Sequence, residues 1–417
     1  MTPQEIALFV YNLSLIPVIF FSILFLLIAF LNMFIEKDKR IYTFSGKYPF
    51  ITIQIPVYND DVAQECIKSC LKFDYPKHRY EIIIADDSSD REIASRLRNY
   101  AIKYKDLVRY VHRNNRHGYK PGALNNILPL SKGEIIVLFD SDWRPQKDFL
   151  KKIIKPIMDD DSVAIVQAKQ AFINLNTNLV SRFSAYLLMI YHSVIMPLNN
   201  KVNSVFFCGT AGAVRRDVLE KVGRWNAQSI TEDADLSVKV LSEGYKIRYL
   251  DIAVPSEVPE TIEGFVKQQM RWCYGLTRAY FDNINNIFYS KKLSILQKIT
   301  ITYSTLANVI APIVVIMTIF GMLGWFLGEP EIFHVQDLYT LFGKLIYTSG
   351  FLILGGIALN REGQLKEYPH LVIGAFSISL VLVAFNSFAF IRAVLNKPLL
   401  WYRTPKSGNI IAKEHDT

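Results

Sequence analysis

Residues 135–142 read Ile-Ile-Val-Leu-Phe-Asp-Ser-Asp, an apolar run that ends in two aspartates separated by one serine. Five consecutive apolar residues between polar segments predict a short buried strand. Asp140 and Asp142 would then stand at the carboxyl end of that strand. Ligands of α/β sheets bind beyond the carboxyl ends of the strands, so this position favours a functional role over an ordinary turn or helix cap.

The segments upstream predict a sheet into which this strand fits. Further strands are predicted over residues 51–55, 81–85 and 108–111, with helices over 62–71 and 91–104. Short apolar strands that alternate with helices are typical of a parallel sheet covered on both faces. The predicted fold class is therefore α/β and Rossmann-like, with its functional residues gathered at one edge of the sheet.

Polar side chains follow the other predicted strands as well. Tyr58 comes after the first strand, and Asp86 and Asp87 come after the second. Carboxylates collected at one edge repel each other unless a cation joins them, and Mg²⁺ or Mn²⁺ with a diphosphate would do so. Asp140 and Asp142 are the predicted metal ligands. Asp86 and Asp87 are predicted to accept hydrogen bonds from a nucleoside, or one of them caps a helix.

Two further segments carry charged candidates. Lys120 lies in the glycine-containing loop 117–125 and is predicted to meet the diphosphate, the alternative being an ordinary solvated lysine. Thr231, Glu232 and Asp233 follow later. Asp233 is the candidate general base that would deprotonate an acceptor hydroxyl. The same residues also predict a helix start, and the two interpretations are compatible because a helix terminus is a rigid mount.

Gln268, Arg271 and Trp272 form the last candidate group. Positions three and four residues apart lie on one helical face, so these side chains are predicted to act together. Arg271 would stabilise a leaving diphosphate, and Trp272 would stack on a sugar ring. The alternative is an aromatic residue at a membrane interface beside a snorkelling arginine.

Four apolar runs are each long enough to cross a bilayer. They occupy residues 6–35, 299–327, 338–359 and 371–391. Basic residues at 37, 39 and 40 predict that the following domain is cytoplasmic. The predicted division is a membrane helix and linker over 1–47, a catalytic domain over 48–286, a membrane region over 287–395 and a polar tail over 396–417.

This arrangement contains a conflict over the side of the C-terminus. One span before the catalytic domain and three after it would put the tail opposite that domain, yet Lys397, Arg403, Lys406 and Lys413 favour the cytoplasm. One run is therefore predicted to be re-entrant or interfacial. The run 338–359 is the first suspect because it contains Lys344.

The net charge of +9 fits a protein that lies against anionic lipid and binds anionic substrates. No cluster of basic and aromatic residues stands apart, so nucleic acid is not an expected partner. The cysteines at 66, 70, 208 and 273 lack the close pairing of zinc sites and are interpreted as buried thiols. The sequence leaves the oligomeric state open.

Taken together, the motifs resemble those of the processive family 2 glycosyltransferases, which include cellulose, hyaluronan, chitin and mannan synthases. The shared order is Asp-Asp, D-x-D, T-E-D and Q-x-x-R-W. The segment 206–210 resembles the family's acceptor-side motif and places Phe207, Cys208 and Gly209 at the acceptor. Residues 401–406 resemble a tail motif of mannan-synthase-like members.

The resemblance implies a GT-A domain between transmembrane helices, a UDP- or GDP-sugar donor, a divalent cation and inversion at the anomeric carbon. Asp86 or Asp87 would hold the nucleoside with Tyr58 nearby, and Glu232 would stand beside the base Asp233. Gln268, Arg271 and Trp272 would contact donor phosphates and acceptor sugar. The product would be a growing β-linked polysaccharide.

Two departures weigh against a cyclic-dinucleotide-regulated cellulose synthase. The chain has no clear F-x-V-T-x-K gating loop, and no regulatory domain follows its last apolar run. The alternative function is transfer of one sugar to a membrane lipid, as ceramide glucosyltransferases do.

Overall fold

The computed structural model describes residues 1–35, 44, 46–328 and 349–399. Its centre is a seven-stranded sheet with the order β3-β2-β1-β4-β6-β5-β7. Strand β6 runs antiparallel to both of its neighbours, and the other pairs are parallel. The strands are β1 Ile51–Val57, β2 Tyr80–Asp86, β3 Val108–His112, β4 Ile135–Leu138, β5 Val163–Phe172, β6 Gly212–Arg215 and β7 Lys246–Ser256.

The four predicted strands are confirmed as β1 to β4, and the predicted α/β class with them. The two predicted helices are α2 Ala63–Leu71 and α3 Arg91–Lys103, which begins where Asp90 accepts hydrogen bonds from two backbone amides of its first turn. Helices and strands alternate because each strand buries both faces, which requires a helical cover on either side.

Helices connect the remaining strands and surround the sheet. The described ones are α1 Pro3–Asn32, α4 Tyr119–Ile127, α5 Phe149–Ile153, α6 Lys155–Asp159, α7 Leu179–Ile190, α8 Met196–Lys201, α9 Arg216–Lys221, α10 Glu232–Ser242, α11 Ile262–Asp282, α12 Ile284–Tyr289, α13 Ile295–Leu306, α14 Ile310–Phe326, α15 Gly350–Arg361 and α16 Tyr368–Val394. A π-helical turn, Tyr191–Ile195, joins α7 to α8.

Two apolar cores lie on opposite faces of the sheet, as its strand pattern predicts. Ile53 and Ile55 of β1 face one core, and Ile136 and Leu138 of β4 face the other. A third core joins α7 to the helices outside the sheet, with Phe183 packed among side chains of α1, α11, α15 and α16. The sheet is thereby attached to the apolar helices through α7.

Within the described part of the chain, four helical segments are long and apolar enough to cross a membrane. They are Pro3–Asn32, Leu179–Lys201, Ile295–Phe326 and Leu365–Val394. Three of them coincide with predicted runs and expose large apolar side chains such as Phe9, Phe20 and Phe376. Leu179–Lys201 was not predicted as a span, and 61% of its apolar window is buried, so it serves as a core helix.

The predicted run 338–359 lies partly outside the described residues. Its described end belongs to α15, an apolar helix of 12 residues. The basic residues at 37, 39 and 40, Lys344, and the tail from residue 400 onward also fall outside the described ranges. The predicted side of the C-terminus and the re-entrant character of this run stay predictions.

Candidate active site

A single cavity of about 730 Å³ opens at the carboxyl edge of the sheet. The strands β1, β2 and β4 end at this edge. Helices α4 and α10 begin there, and one face of α11 lies against the cavity. The predicted site residues that line it are Tyr58, Asp87, Lys120, Asp140, Asp142, Phe207, Cys208, Glu232, Asp233, Gln268, Arg271 and Trp272. Segments far apart in the sequence therefore converge on one cavity.

The turn after β4 holds the two predicted metal ligands in place. The backbone N–H of Asp140 donates to the Thr210 hydroxyl at 3.0 Å. Oδ2 of Asp142 accepts from the backbone N–H of Glu257 at 3.1 Å. Thr210 precedes β6 and Glu257 follows β7, so segments next to two other strands of the sheet fix both aspartates at the cavity wall.

Lys120 lies at the centre of the acidic residues. Its ammonium is 2.8 Å from Oδ1 of Asp140, 3.5 Å from Oε1 of Glu232 and 3.0 Å from the carbonyl of Gly209. Burial alone would lower the pKa of Lys120, but Asp140 and Glu232 outweigh burial and raise the pKa above its ordinary value. Lys120 is therefore a cation between the predicted metal ligand Asp140 and Glu232, the residue beside the predicted base.

Glu232 and Asp233 form the first turn of α10, where backbone N–H groups and the helix dipole favour negative charge. Burial, and then the neighbouring carboxylate of Glu232, raise the pKa of Asp233 to about 7. Lys120, the Ala234 amide and Arg271 act in the opposite direction. A carboxylate that titrates near neutral pH is suited to accept a proton from a sugar hydroxyl.

We expect Glu232→Gln to move the acid limb of the pH profile of kcat/KM to lower pH. A raised pKa means that Asp233 is an active base above about pH 7 and loses this capacity as the pH falls. Removing the adjacent negative charge lowers that pKa, so activity persists to lower pH. Glu243→Gln, at the other end of α10, is the matched control. An unchanged limb in Glu232→Gln would contradict the assignment of Asp233 as the titrating group.

Gly209 shapes the space beside this base. Its φ is +74°, and a Cβ added there would lie 2.9 Å from Oδ2 of Asp233. Only glycine combines this backbone conformation with such a close approach. The glycine does not itself line the cavity, but its carbonyl accepts from Lys120.

We expect Gly209→Ala to lower sugar transfer by roughly tenfold or more, because a displacement of about 1 Å at a reacting group has effects of that size. Gly223→Ala is the matched control, since Gly223 has a φ of +98° and nothing within 4 Å of an added Cβ. Both variants carry backbone strain, and the thermal midpoint measures it. If both lost activity equally, Gly209 would act through stability alone.

The predicted pair Asp86 and Asp87 divides into two roles. Asp87 lines the cavity, and its Oδ1 accepts from Arg113 Nε at 2.7 Å. Asp86 is fully buried behind it, where its Oδ2 accepts from the Tyr110 hydroxyl at 2.7 Å and lies 2.9 Å from Nδ1 of His112. Asp86 does not line the cavity, so its predicted contact with a nucleoside stays a prediction.

The acceptor-side segment 206–210 lies directly beside the acidic residues, since a Cβ on Gly209 would lie 2.9 Å from Oδ2 of Asp233. The backbone N–H of Phe207 donates to the Ser237 hydroxyl at 2.9 Å, and that of Cys208 donates to Gln167 at 2.8 Å. The thiol of Cys208 donates to the Phe206 carbonyl at 3.9 Å, and Tyr191 packs against the same apolar core as Cys208. The two backbone bonds join the segment to α10 and β5.

One face of α11 closes the cavity, and it carries Gln268, Arg271 and Trp272 as their spacing predicts. Sequence reasoning missed Arg116, whose guanidinium lies 3.2 Å from the centre of the Tyr58 ring, and His192 at the cavity wall. Neither residue belongs to a recognisable motif, and both come into position through tertiary packing.

The described residues contain no group of three or more His, Cys, Asp or Glu side chains that could enclose a metal ion. The cavity does offer the carboxylates of Asp140 and Asp142 side by side on one turn. Hard divalent cations commonly take one or two carboxylates and complete their shell with substrate phosphates and water. The donor set therefore fits a cation that is bound together with a diphosphate.

This sheet and its carboxylate-lined cavity define a glycosyltransferase of the GT-A fold. The chain belongs to the family described as glycosyltransferase like family 2, whose model matches residues 49–275, more than half of the chain. The match confirms the resemblance that the motifs carry.

Named relatives and a solved structure agree with this family. Probable glucomannan 4-beta-mannosyltransferase 1 of Arabidopsis thaliana is 30% identical over 71% of this chain and 58% of its own length. Probable glucomannan 4-beta-mannosyltransferase 7 of Oryza sativa subsp. japonica is 32% identical over 64% of this chain and 48% of its own length. The chain thus spans about half the length of the curated relatives it matches.

The structure of the mannosyltransferase PcManGT from Pyrobaculum calidifontis, in complex with GDP-Man and Mn²⁺, has a TM-score of 0.67 to this chain. The two are 17% identical, and the alignment covers 95% of this chain and all of the other. This likeness concerns the fold, including the apolar helices outside the sheet.

Proposed function

We propose that this protein is a membrane-integrated, inverting and metal-dependent glycosyltransferase that adds sugars from a nucleotide-diphosphate donor to a growing β-linked glycan. The observation that carries the proposal is the single cavity lined at once by Asp87, Asp142, Asp233 and Trp272. A nucleoside contact, a metal ligand, a base and a sugar platform share one volume of a size suited to a nucleotide sugar.

Asp140 and Asp142 are the residues that would hold Mg²⁺ or Mn²⁺ together with the donor diphosphate. When bound, such a cation neutralises the charge that develops on the leaving phosphates. Lys120 and Arg271 supply fixed positive charge on the protein side of the same cavity, and Asp87 and Tyr58 stand where the nucleoside would lie.

Asp233 performs the proton transfer. Its carboxylate takes the proton of an acceptor hydroxyl while that oxygen forms a bond to the anomeric carbon, and the bond from this carbon to the diphosphate breaks. The nucleoside diphosphate leaves with the bonding electron pair, and the configuration inverts. Trp272 offers an aromatic face on which the acceptor sugar is oriented.

GDP-mannose is the donor we would test first. The relatives named above are glucomannan 4-beta-mannosyltransferases, and the fold neighbour was solved with GDP-Man and Mn²⁺. UDP-glucose and UDP-N-acetylglucosamine are the comparison donors, because pocket shape sets sugar specificity and the fold does not.

The helices α1, α13, α14 and α16 are proposed to lie in the bilayer, with the catalytic domain in the cytoplasm. The exposed apolar surface of these helices supports their place in the bilayer, since soluble proteins seldom expose such large patches. The basic residues at 37, 39 and 40 support a cytoplasmic catalytic domain.

The cavity also extends to Tyr303, Ser304 and Ala307 of the apolar helix segment Ile295–Phe326. This lining by an apolar helical segment is the observation that favours the alternative, transfer of one sugar to a membrane lipid.

The decisive experiment offers each donor, with Mn²⁺ or Mg²⁺, to the purified full chain in detergent and in liposomes. Release of nucleoside diphosphate identifies the donor, and sizing of the labelled product identifies the acceptor class. A long glycan supports the proposal, and a single lipid-linked sugar supports the alternative. If no donor released nucleotide under conditions where the protein remains folded, both functions would be rejected.

A further inference from the structure

The helical segment Leu179–Lys201 is interrupted by the π-helical turn Tyr191–Ile195. Such turns insert a residue into a helix and frequently occur at functional sites. Here the turn directs two consecutive side chains, Tyr191 and His192, to the cavity.

Tyr191 and His192 lie on the acceptor side of the cavity. Tyr191 packs against the same apolar core as Cys208 of the acceptor-side segment, and both residues line the cavity. His192 is 3% exposed, and among the residues that the structure describes its Nδ1 has no hydrogen-bond partner. A buried polar atom without a partner is costly, so the surrounding packing must hold the His192 ring in this position.

The turn is held from outside by two consecutive charged residues of the α15 terminus. The Ser193 hydroxyl donates to Oε1 of Glu362 at 2.6 Å, and Arg361 donates to the Ser193 carbonyl at 2.6 Å. Arg361 and Glu362 therefore both form hydrogen bonds with the same residue of the turn, Ser193. Arg361 and Glu362 lie outside the segment 49–275 that defines the family.

The same pair joins two other parts of the molecule. Arg361 donates to the carbonyls of Asn32 and Ile35 at the end of α1, at 2.6 and 3.0 Å. Lys169 of β5 lies 3.1 Å from Oε1 of Glu362 and 2.6 Å from Asp251 of β7. Charged hydrogen bonds of this kind are strong and directional when partly buried. The sheet edge, α1 and α15 thus meet at the turn.

We propose that Arg361 and Glu362 are positioning residues, which act through Ser193 to fix the π-helical turn and so aim Tyr191 and His192 at the acceptor sugar. The inference rests on the proposed glycosyltransferase function. It assigns to the helices beyond the family segment a part in acceptor binding. Loosening the turn should leave donor binding intact, because among the described residues neither Tyr191 nor His192 forms a hydrogen bond with the predicted metal ligands Asp140 and Asp142.

The test compares Glu362→Gln with Glu367→Gln in the full chain. Glu367 is the matched control site, because it also joins α7 to the C-terminal helices, through Arg182 and Tyr186. Glu367 forms neither of these bonds with a residue of the turn. The assay measures nucleotide released per sugar incorporated, together with product length. We expect the ratio to rise roughly tenfold in Glu362→Gln, with shorter product, because a neutral amide weakens the charge-assisted hydrogen bonds from Ser193 and Lys169.

Ser193→Ala is the milder second variant, and it should shift the ratio in the same direction without lowering the thermal midpoint. Equal ratios in Glu362→Gln, Ser193→Ala and Glu367→Gln would overturn the positioning role. A proportional loss of nucleotide release and incorporation would do the same, because it would indicate general destabilisation. An inactive wild-type protein would reject the proposed function itself, and the inference with it.

Discussion

Asp233→Asn is expected to lower sugar transfer by roughly 10²–10⁴-fold, the usual contribution of a general base. The amide is nearly the same size as the carboxylate but does not accept the proton of the acceptor hydroxyl. Lys120 and Arg271 remain to hold the phosphates, so donor affinity should be retained. Initial rates of product formation and calorimetric titration with the nucleotide measure the two quantities separately.

The pH profile of the residual activity in Asp233→Asn should also lose its acid limb near pH 7, because that limb reflects protonation of Asp233. Asp161→Asn makes the same chemical change at a fully exposed carboxylate and is the matched control. A loss of nucleotide affinity as large as the loss of rate would make Asp233 a donor-binding residue. Wild-type rates in the variant would remove it from the mechanism altogether.

Asp142→Ala is expected to abolish the gain in nucleotide affinity that Mn²⁺ provides. In the presence of Mn²⁺ the affinity should fall by roughly a hundredfold or more. Even residues that only support metal ligands change metal affinity by about 10–100-fold, so a ligand should do at least as much. Calorimetric titration of the nucleoside diphosphate with and without Mn²⁺ measures the effect.

Asp142→Asn separates the metal contact from a structural role. The amide oxygen still accepts from the Glu257 backbone, which Asp142 does at 3.1 Å, but the negative charge is lost. We therefore expect Asp142→Asn to keep the thermal midpoint and to lose most of the Mn²⁺ dependence. Nucleotide affinity that still rose with Mn²⁺ in both variants would contradict the assignment.

Much of the fold was predictable because local patterns carry it. Apolar runs of strand length, separated by helices, require a parallel sheet, and the polar residues that follow them must lie at its carboxyl edge. The grouping of Asp87, Asp140 and Asp142 follows from that rule. Gln268, Arg271 and Trp272 are similarly placed by helical spacing within α11.

Other features depend on contacts between distant segments. Asp86 and Asp87 are adjacent, yet side chains alternate across a strand, so one points to the cavity and the other to Tyr110 and His112. Which of the two faces the cavity depends on the register of β2 against β3, which no local pattern specifies. The apolarity of Leu179–Lys201 likewise does not distinguish a membrane span from the buried helix that it is.

The sequence by itself determined the α/β class, the acidic edge and the apolar helices, because strand and helix periodicity act over a few neighbouring residues. Only the tertiary structure decided that Lys120 bridges Asp140 and Glu232, and that Arg361 and Glu362 hold the turn at Ser193. Arg361 and Glu362 are 168 and 169 residues from Ser193 in the chain. Their meeting depends on how whole helices and strands pack, because the electrostatic and hydrogen-bonding forces that link them act over only a few ångströms.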